Sequence, residues 1–327
     1  MSTIISKAGP STSTSKPSTS TSKPSKQSKP PRLKPERPVW DEEPGAAAKA
    51  GKFIVLAVVV LAVLGPLYTI VLTSISSQAT ITQAGGLVLV PGEISFAAYQ
   101  QILSGGVVTR AVLVSVGVTA TGTALSMVVS ILCAYGLSRP GSFAHTPILF
   151  TLLITMFFSA GIIPSYLLVS GLGLINTYWA LILPSCISVF NIIILRGFFM
   201  GIDRGILDSA RIDGASEWRT LTQIVLPMSK AVTAVIALFY GVGYWNAFFN
   251  AVLYINDSAM NPLQVVLRSY VLQGVSVPGQ VDVGTGAAAG PALQMAVIVL
   301  AMVPILIVYP FVQKHFTKGV MIGAVKG

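Results

Sequence analysis

The sequence predicts an all-α membrane protein: six transmembrane helices, N- and C-termini cytoplasmic, and a two-helix cytoplasmic loop between spans four and five. Three observations carry this. Of 327 residues, 53% are hydrophobic and only 10% charged, where a soluble domain carries about 25% charged. The apolar residues gather in long uncharged runs, and a helix needs about 20 of them to cross a bilayer. Positive charge is lopsided: with the N-terminus taken as cytoplasmic, segments 1–52, 139–145, 196–230 and 313–327 hold 19 of the 21 Lys and Arg, leaving Arg110 and Arg268 outside. Ten of the 19 sit in the N-terminal segment, but the short inside loops show the same bias without it. This is the positive-inside pattern, so the net charge of +10 reports topology rather than affinity for nucleic acid.

Residues 1–50 form a basic tail with a tandem repeat, STSTSKP at 11–17 and again at 18–24, followed by KPPRLKPERP. Such a stretch buries too little apolar surface to fold and is expected to be a disordered cytoplasmic segment. It lacks the apolar core of a secretory leader. It is either a solvated extension or a basic arm on anionic membrane lipid. The remainder, 51–327, is expected to hold spans at about 53–76, 109–138, 146–170, 178–200, 229–256 and 290–313. The first outside segment, 77–109, carries strand and turn signals at Leu87–Val90 and Pro91-Gly92. A turn at 138–142, with Pro140 and Gly141, joins spans two and three. Thr146 to Leu195 is free of charge and long enough for two spans, with a hinge at 171–177. The last outside loop, about 257–290, is Gly-rich. Small and hydroxylated residues in span two (Ser115, Thr119, Gly122, Thr123, Ser126) suit close helix packing or a polar path. Cys133 and Cys186 lie in apolar runs, which excludes a disulfide framework or metal spacing.

The segment 203–227 is unlike a passive connector. Residues 196–230 hold nine charges, yet apolar residues recur at helical spacing: Ile206, Leu207 and Ala210, then Trp218, Leu221, Ile224 and Val225. Two short helices are predicted, 204–212 and 216–225. Gly214 supplies the positive φ between them, Ser216 caps the second, and Pro227 closes it before span five. Small residues at the apex suit insertion into a groove on another protein. The alternative is an amphipathic loop on the headgroups, with Phe198, Phe199 and Trp218 as anchors.

The spacing here resembles the EAA loop of binding-protein-dependent ABC importers: Asp208-Ser209-Ala210, three residues, Gly214, nine residues, then Ile224-Val225-Leu226-Pro227. Asp208 and Ser209 stand where the family pattern has Glu and Ala. The run 212–216, with Asp213 and Ala215, and the C-terminal residues 316–327 are further similar to MalG-type subunits of carbohydrate importers. The resemblance covers residues 50–327. It implies a permease subunit in a bacterial cytoplasmic (inner) membrane, paired with a second, different permease as a heterodimer. Two ATPase subunits and an extracytoplasmic solute-binding protein complete the implied complex. The loop would dock in an ATPase cleft, with Asp208, Ser209, Ala210, Asp213, Gly214, Ala215, Ile224, Leu226 and Pro227 at the contact, and Lys326 and Gly327 would reach between the ATPase subunits. ATP and Mg would be bound by those partners. The chain's nearest approach to a nucleotide loop, GAAAKAGK at 45–52, is one residue too long and is followed by Phe53; no catalytic residue or metal ligand of its own is expected.

Span five carries Tyr240, Tyr244, Trp245, Asn246 and Asn250. Buried amides are costly unless paired. Aromatic faces and neutral amides also suit a carbohydrate, so these residues, with Ser188 and Asn191 of span four, are candidates for a substrate path or for interhelical hydrogen bonds. The apolar runs 111–138, 146–195, 231–255 and 292–312 hold no Asp, Glu, Lys, Arg or His, which argues against a proton- or sodium-coupled secondary carrier. An ATP-independent carrier or channel, and a membrane enzyme, remain the rival classes; His145 and His315 lie at inside ends.

Overall fold

The structure, a computed structural model, describes residues 45–139, 141–273 and 290–324. The chain divides into two units, 1–57 and 58–327. Of the first, the described part is the opening of helix α1. The tail repeat, Lys326 and Gly327 lie outside the described residues.

Helix is nearly the whole of it. In order come α1 (Ala46–Ser74), α2 (Gln78–Gln83), α3 (Ala97–Leu103), α4 (Val107–Ser138), α5 (His145–Phe157), α6 (Ile162–Gly171), α7 (Trp179–Ile182) and α8 (Val189–Met200). The second half has α9 (Arg204–Ile212), α10 (Glu217–Thr220), α11 (Leu226–Met228), α12 (Lys230–Trp245), α13 (Phe249–Tyr254), α14 (Leu263–Arg268) and α15 (Pro291–Ala324). Among the described residues the β structure is a single bridge, Ser76 to Ile94. The strand expected at Leu87–Val90 does not form: Val88 instead donates its N–H to the Thr73 hydroxyl (3.0 Å) and is buried with Leu72 and Ile81.

Three helices, α1, α4 and the Pro291–Pro310 part of α15, are long and apolar enough to cross a membrane. Three bent pairs pass the same test together. The expected third span, 146–170, is one of them: α5 and α6 meet at 119°. The break falls at 158–161, where Gly161 takes φ 82° and Pro164 follows within the first turn of α6, so the ladder cannot run through. The fourth span bends by 51° at 186–188, after a 3₁₀ turn at Leu183–Ser185 that contains Pro184. In the fifth, the helix ends at Trp245 rather than near 256. Ala247 N–H reaches back only three residues, to Tyr244, and Asn246 adds its side-chain amide to the Val242 carbonyl (3.0 Å), the local competition that polar side chains offer a helix.

Unbroken from Val107 to Ser138, α4 organises the core. Its buried residues, Val108, Ala111, Ser115, Val118, Gly122, Ser126, Ser130, Ala134 and Leu137, recur every three or four positions and so form one stripe. They are mostly small, which lets neighbouring helices approach closely. The stripe packs against α8 and α12, and α12 packs in turn on α15. At Gly122 an added Cβ would lie 2.8 Å from the Tyr244 ring. Ser115 accepts the N–H of Leu263 (2.8 Å) and Ser126 bonds the Tyr244 hydroxyl (2.8 Å). These span-two residues therefore serve packing. The hydroxyls of Thr119 and Thr123 are buried without a hydrogen-bond partner.

Candidate functional site

Two constructions stand out, at 203–229 and at 185–250. The first is built from local rules. Asp203 caps α9, its carboxylate accepting Gly205 N–H at 2.8 Å. The helix is stopped by Gly214 at φ 77°. Ala215 N–H returns to Ala210 C=O (2.9 Å) and Gly214 N–H to Arg211 C=O (3.0 Å), the paired bonds of a Schellman stop. Ser216 then caps α10 by accepting Arg219 N–H at 3.3 Å. The second helix runs on through a π-turn at Leu221–Val225. It ends at Met228, one residue beyond the expected closure at Pro227, with Ser229 as its C-cap. Leu226 N–H bonds Leu221 C=O, five residues back, and the wider turn admits Pro227 within the coil. The chain then turns by 87° into α12.

The residues of the family pattern fall on this frame. Ala210 is buried. Asp208 is exposed and 3.8 Å from Arg211. The Ser209 hydroxyl donates to Ile206 C=O (3.0 Å). Asp213 is the C-cap of α9. Ile224 and Leu226 are half-buried, and Val225 between them is buried in the main core. At the apex, Ile212 is 86% and Trp218 65% exposed, two large apolar side chains set between charged neighbours.

The sequence reading did not single out Glu217. Its carboxylate lies 2.9 Å from Arg139 and 3.2 Å from Arg211, and it accepts a short hydrogen bond from the Tyr135 hydroxyl. Arg139 donates to Tyr135 as well and its guanidinium covers that ring at 4.6 Å. The Tyr135 hydrogen bond, then the two guanidiniums, hold the Glu217 carboxyl below the usual carboxylate range despite partial burial. Tyr135 and Arg139 belong to the end of α4, about 80 residues away in sequence, a distance at which local spacing carries no signal.

The second construction is a cavity of about 810 Å³ between α8, α12 and α13. Of the candidate path residues, Ser188, Asn191, Tyr240, Tyr244, Asn246 and Asn250 line it, with Ser185 and the rings of Phe190, Phe239, Phe248 and Phe249. Asn246 and Asn250 do not share one helical face, because the helix breaks between them. Asn250 instead donates to Ser185 Oγ (3.2 Å), and Asn246 accepts from Gln264 (3.4 Å). The tyrosines turn their hydroxyls away, Tyr240 to Ser130 (2.7 Å) and Tyr244 to Ser126. Trp245 does not line the cavity; its indole N–H donates to Ala301 C=O (2.9 Å) in the packing of α12 on α15. The lining is neutral throughout: two hydroxyls from serine, three amides, and aromatic faces. Beside it, the Arg268 guanidinium lies 4.7 Å from the Phe248 ring centroid.

Comparison with known proteins places the chain among transport proteins of the membrane. Residues 126–322 match the family described as binding-protein-dependent transport system inner membrane component. A polygalacturonan/rhamnogalacturonan transport system permease protein of Bacillus subtilis (strain 168), YtcP, is 47% identical over 73% of this chain and 85% of its own length. Protein LplC of the same organism is 42% identical over 80% and 89%. Among solved structures, a chain of a bacterial ABC transporter involved in the import of the acidic polysaccharide alginate superposes with a TM-score of 0.77 at 28% identity, covering 84% of this chain and 99% of that one. The matched region holds the capped two-helix loop and the cavity-lining segments 185–250, and the chain belongs to the binding-protein-dependent transport system inner membrane component family.

Proposed function

We propose that the chain is a permease subunit of an ATP-driven importer for an oligosaccharide. It crosses the bacterial cytoplasmic membrane six times with both termini inside, through α1, α4, the bent pairs α5–α6 and α7–α8, α12 and α15. A second, different permease faces its cavity, two ATPase subunits bind below, and a binding protein delivers cargo from outside. The chain supplies no chemistry of its own; ATP and Mg act on the partner ATPases.

The apex of 204–227 carries this reading. A stiff helix pair that exposes Ile212 and Trp218 is suited to a protein groove, and three features keep it stiff: the Asp203 cap, the Schellman stop and the Ser216 cap. ATPase closure would push this element, and only a partner that distinguishes two states can shift the balance between them.

The cavity's amides, hydroxyls and exposed aromatic rings fit sugar hydroxyls and CH faces. YtcP is named for polygalacturonan and rhamnogalacturonan and the matched structure for an acidic polysaccharide. We place an oligosaccharide bearing uronate groups in this cavity, with Arg268 at its rim as the positive group. Gly214→Pro tests the coupling assignment: proline cannot take φ 77° and removes the N–H bonded to Arg211. The variant is expected to insert in the membrane, fail to retain the ATPases on purification, and lose binding-protein-dependent uptake. Normal uptake by an assembled Gly214→Pro complex would refute it.

A further inference from the structure

We propose that Glu217 is a positioning residue that ties the ATPase-facing loop to α4, giving the stroke a non-covalent route to the cavity besides the covalent ones through α8 and α12. The inference rests on the coupling assignment above. The loop is joined by chain to α8 at its start and, through Pro227 and Ser229, to α12 at its end, but the α12 connection turns by 87°. A push on the apex delivered through a sharp corner bends the corner as well as moving the helix.

The cluster at Glu217 removes that slack. One carboxylate bonds three groups: Arg211 on α9, and Tyr135 and Arg139 at the end of α4. Arg139 is anchored, its side chain 12% exposed, and its Nε is buried without a partner. The ion pairs on their own add little stability, since the Glu217 side chain is 58% exposed and pairs that open to water are weak. Their geometry is the point: both helices of the loop and the end of α4 meet on one carboxylate.

From there α4 is one unbroken helix and carries the contact onward. Ser130 lies five residues and Ser126 nine residues before Tyr135, about 8 and 14 Å along a helix. Ser130 bonds the Tyr240 hydroxyl and Ser126 the Tyr244 hydroxyl. Tyr240 also accepts the backbone N–H of Ser188 (3.0 Å) and Tyr244 donates to Ile182 C=O (3.1 Å). All of Ser188, Tyr240 and Tyr244 line the cavity. A shift of α4 thus acts on α12 and on the break before α8 together, where the cavity wall is made. Spatial continuity alone does not establish coupling; an energetic test does.

The test uses the complete complex, permeases with ATPases, in proteoliposomes supplied with binding protein, and reads sugar imported per ATP hydrolysed. Glu217→Gln and Arg139→Gln are each expected to retain the ATPases on purification and to hydrolyse ATP, while import per ATP falls about tenfold. The double variant is expected to fall no further than the worse single one, because both remove the same link. Tyr135→Phe, which deletes one hydroxyl, should fall less. Unchanged import per ATP in Glu217→Gln, or losses that multiply in the double variant, would overturn the link. So would loss of ATPase retention in Glu217→Gln, which would make the residue part of the docking surface. Gly214→Pro is run beside them: if it leaves ATPase retention and uptake intact, the coupling assignment itself has failed, whatever Glu217 does.

Discussion

The loop at 203–229 and the cavity at 185–250 are built by opposite means. Every bond that shapes the loop's turn spans six residues or fewer: Asp203 to Gly205, Ala215 to Ala210, Ser216 to Arg219. The cavity is shaped by bonds that cross the chain: Ser130 to Tyr240, Ser126 to Tyr244, Asn250 to Ser185. A lever needs a shape that survives being moved, and local caps provide one. A passage that must open and close needs walls joined across helices, so that helix motion changes them. On this comparison the loop should fail through backbone substitutions and the cavity through side-chain ones.

Four substitutions can break or sharpen that contrast. The largest effect is expected from Gly214→Pro, through loss of ATPase retention and uptake, because proline in a forbidden φ region with a lost hydrogen bond costs about 3 kcal/mol or more locally. Next is Gly122→Val. Its side chain would meet the Tyr244 ring, 2.8 Å from the first added carbon, and overpacking of this kind costs about 1–3 kcal/mol. Thermal stability of the purified complex should drop and uptake with it, while the loop still retains the ATPases. Asn250→Ala removes a cavity amide and its bond to Ser185. It should raise the sugar concentration needed for half-maximal ATPase stimulation severalfold, at about 1 kcal/mol, with insertion and assembly unchanged. The smallest effect is expected from Ser216→Ala, about 1 kcal/mol of local helix stability, seen as faster hydrogen exchange at 217–220 with uptake reduced but present. If Ser216→Ala abolished uptake and Gly122→Val did not, the contrast would be reversed.

The same division explains what the sequence disclosed. The helix ends at Ile212 and Ser216 and the turn at Gly214 were readable because Gly, Ser and the apolar spacing act within one turn of themselves. The apolar runs of α1, α4 and α15 were readable from length alone. The bends were harder. Pro164 and Gly161 mark one in hindsight, but the break after Trp245 has no proline; there Asn246 turns its amide back to the Val242 carbonyl and accepts from Gln264, while Asn250 bonds Ser185. Trp245 was grouped with the path residues by adjacency, yet its position on α12 turns it to Ala301. Glu217 shows the limit most clearly. In sequence it is an ordinary acid in the first turn of a short helix, and its significance arises only when folding brings Arg139 and Tyr135 beside it. Asp208, the acid the family pattern singled out, is the more exposed and makes the longer contact, 3.8 Å to Arg211.

The central claim is that the apex of the loop seats in an ATPase subunit. A photo-crosslinking residue placed at Ile212 in the assembled complex in membranes tests it most directly. A crosslink to the ATPase subunit is expected, lost on detergent stripping of that subunit and absent from a control position on the exposed face of α5. Crosslinks confined to lipid, with the ATPase present and active, would contradict it and return the loop to the membrane surface.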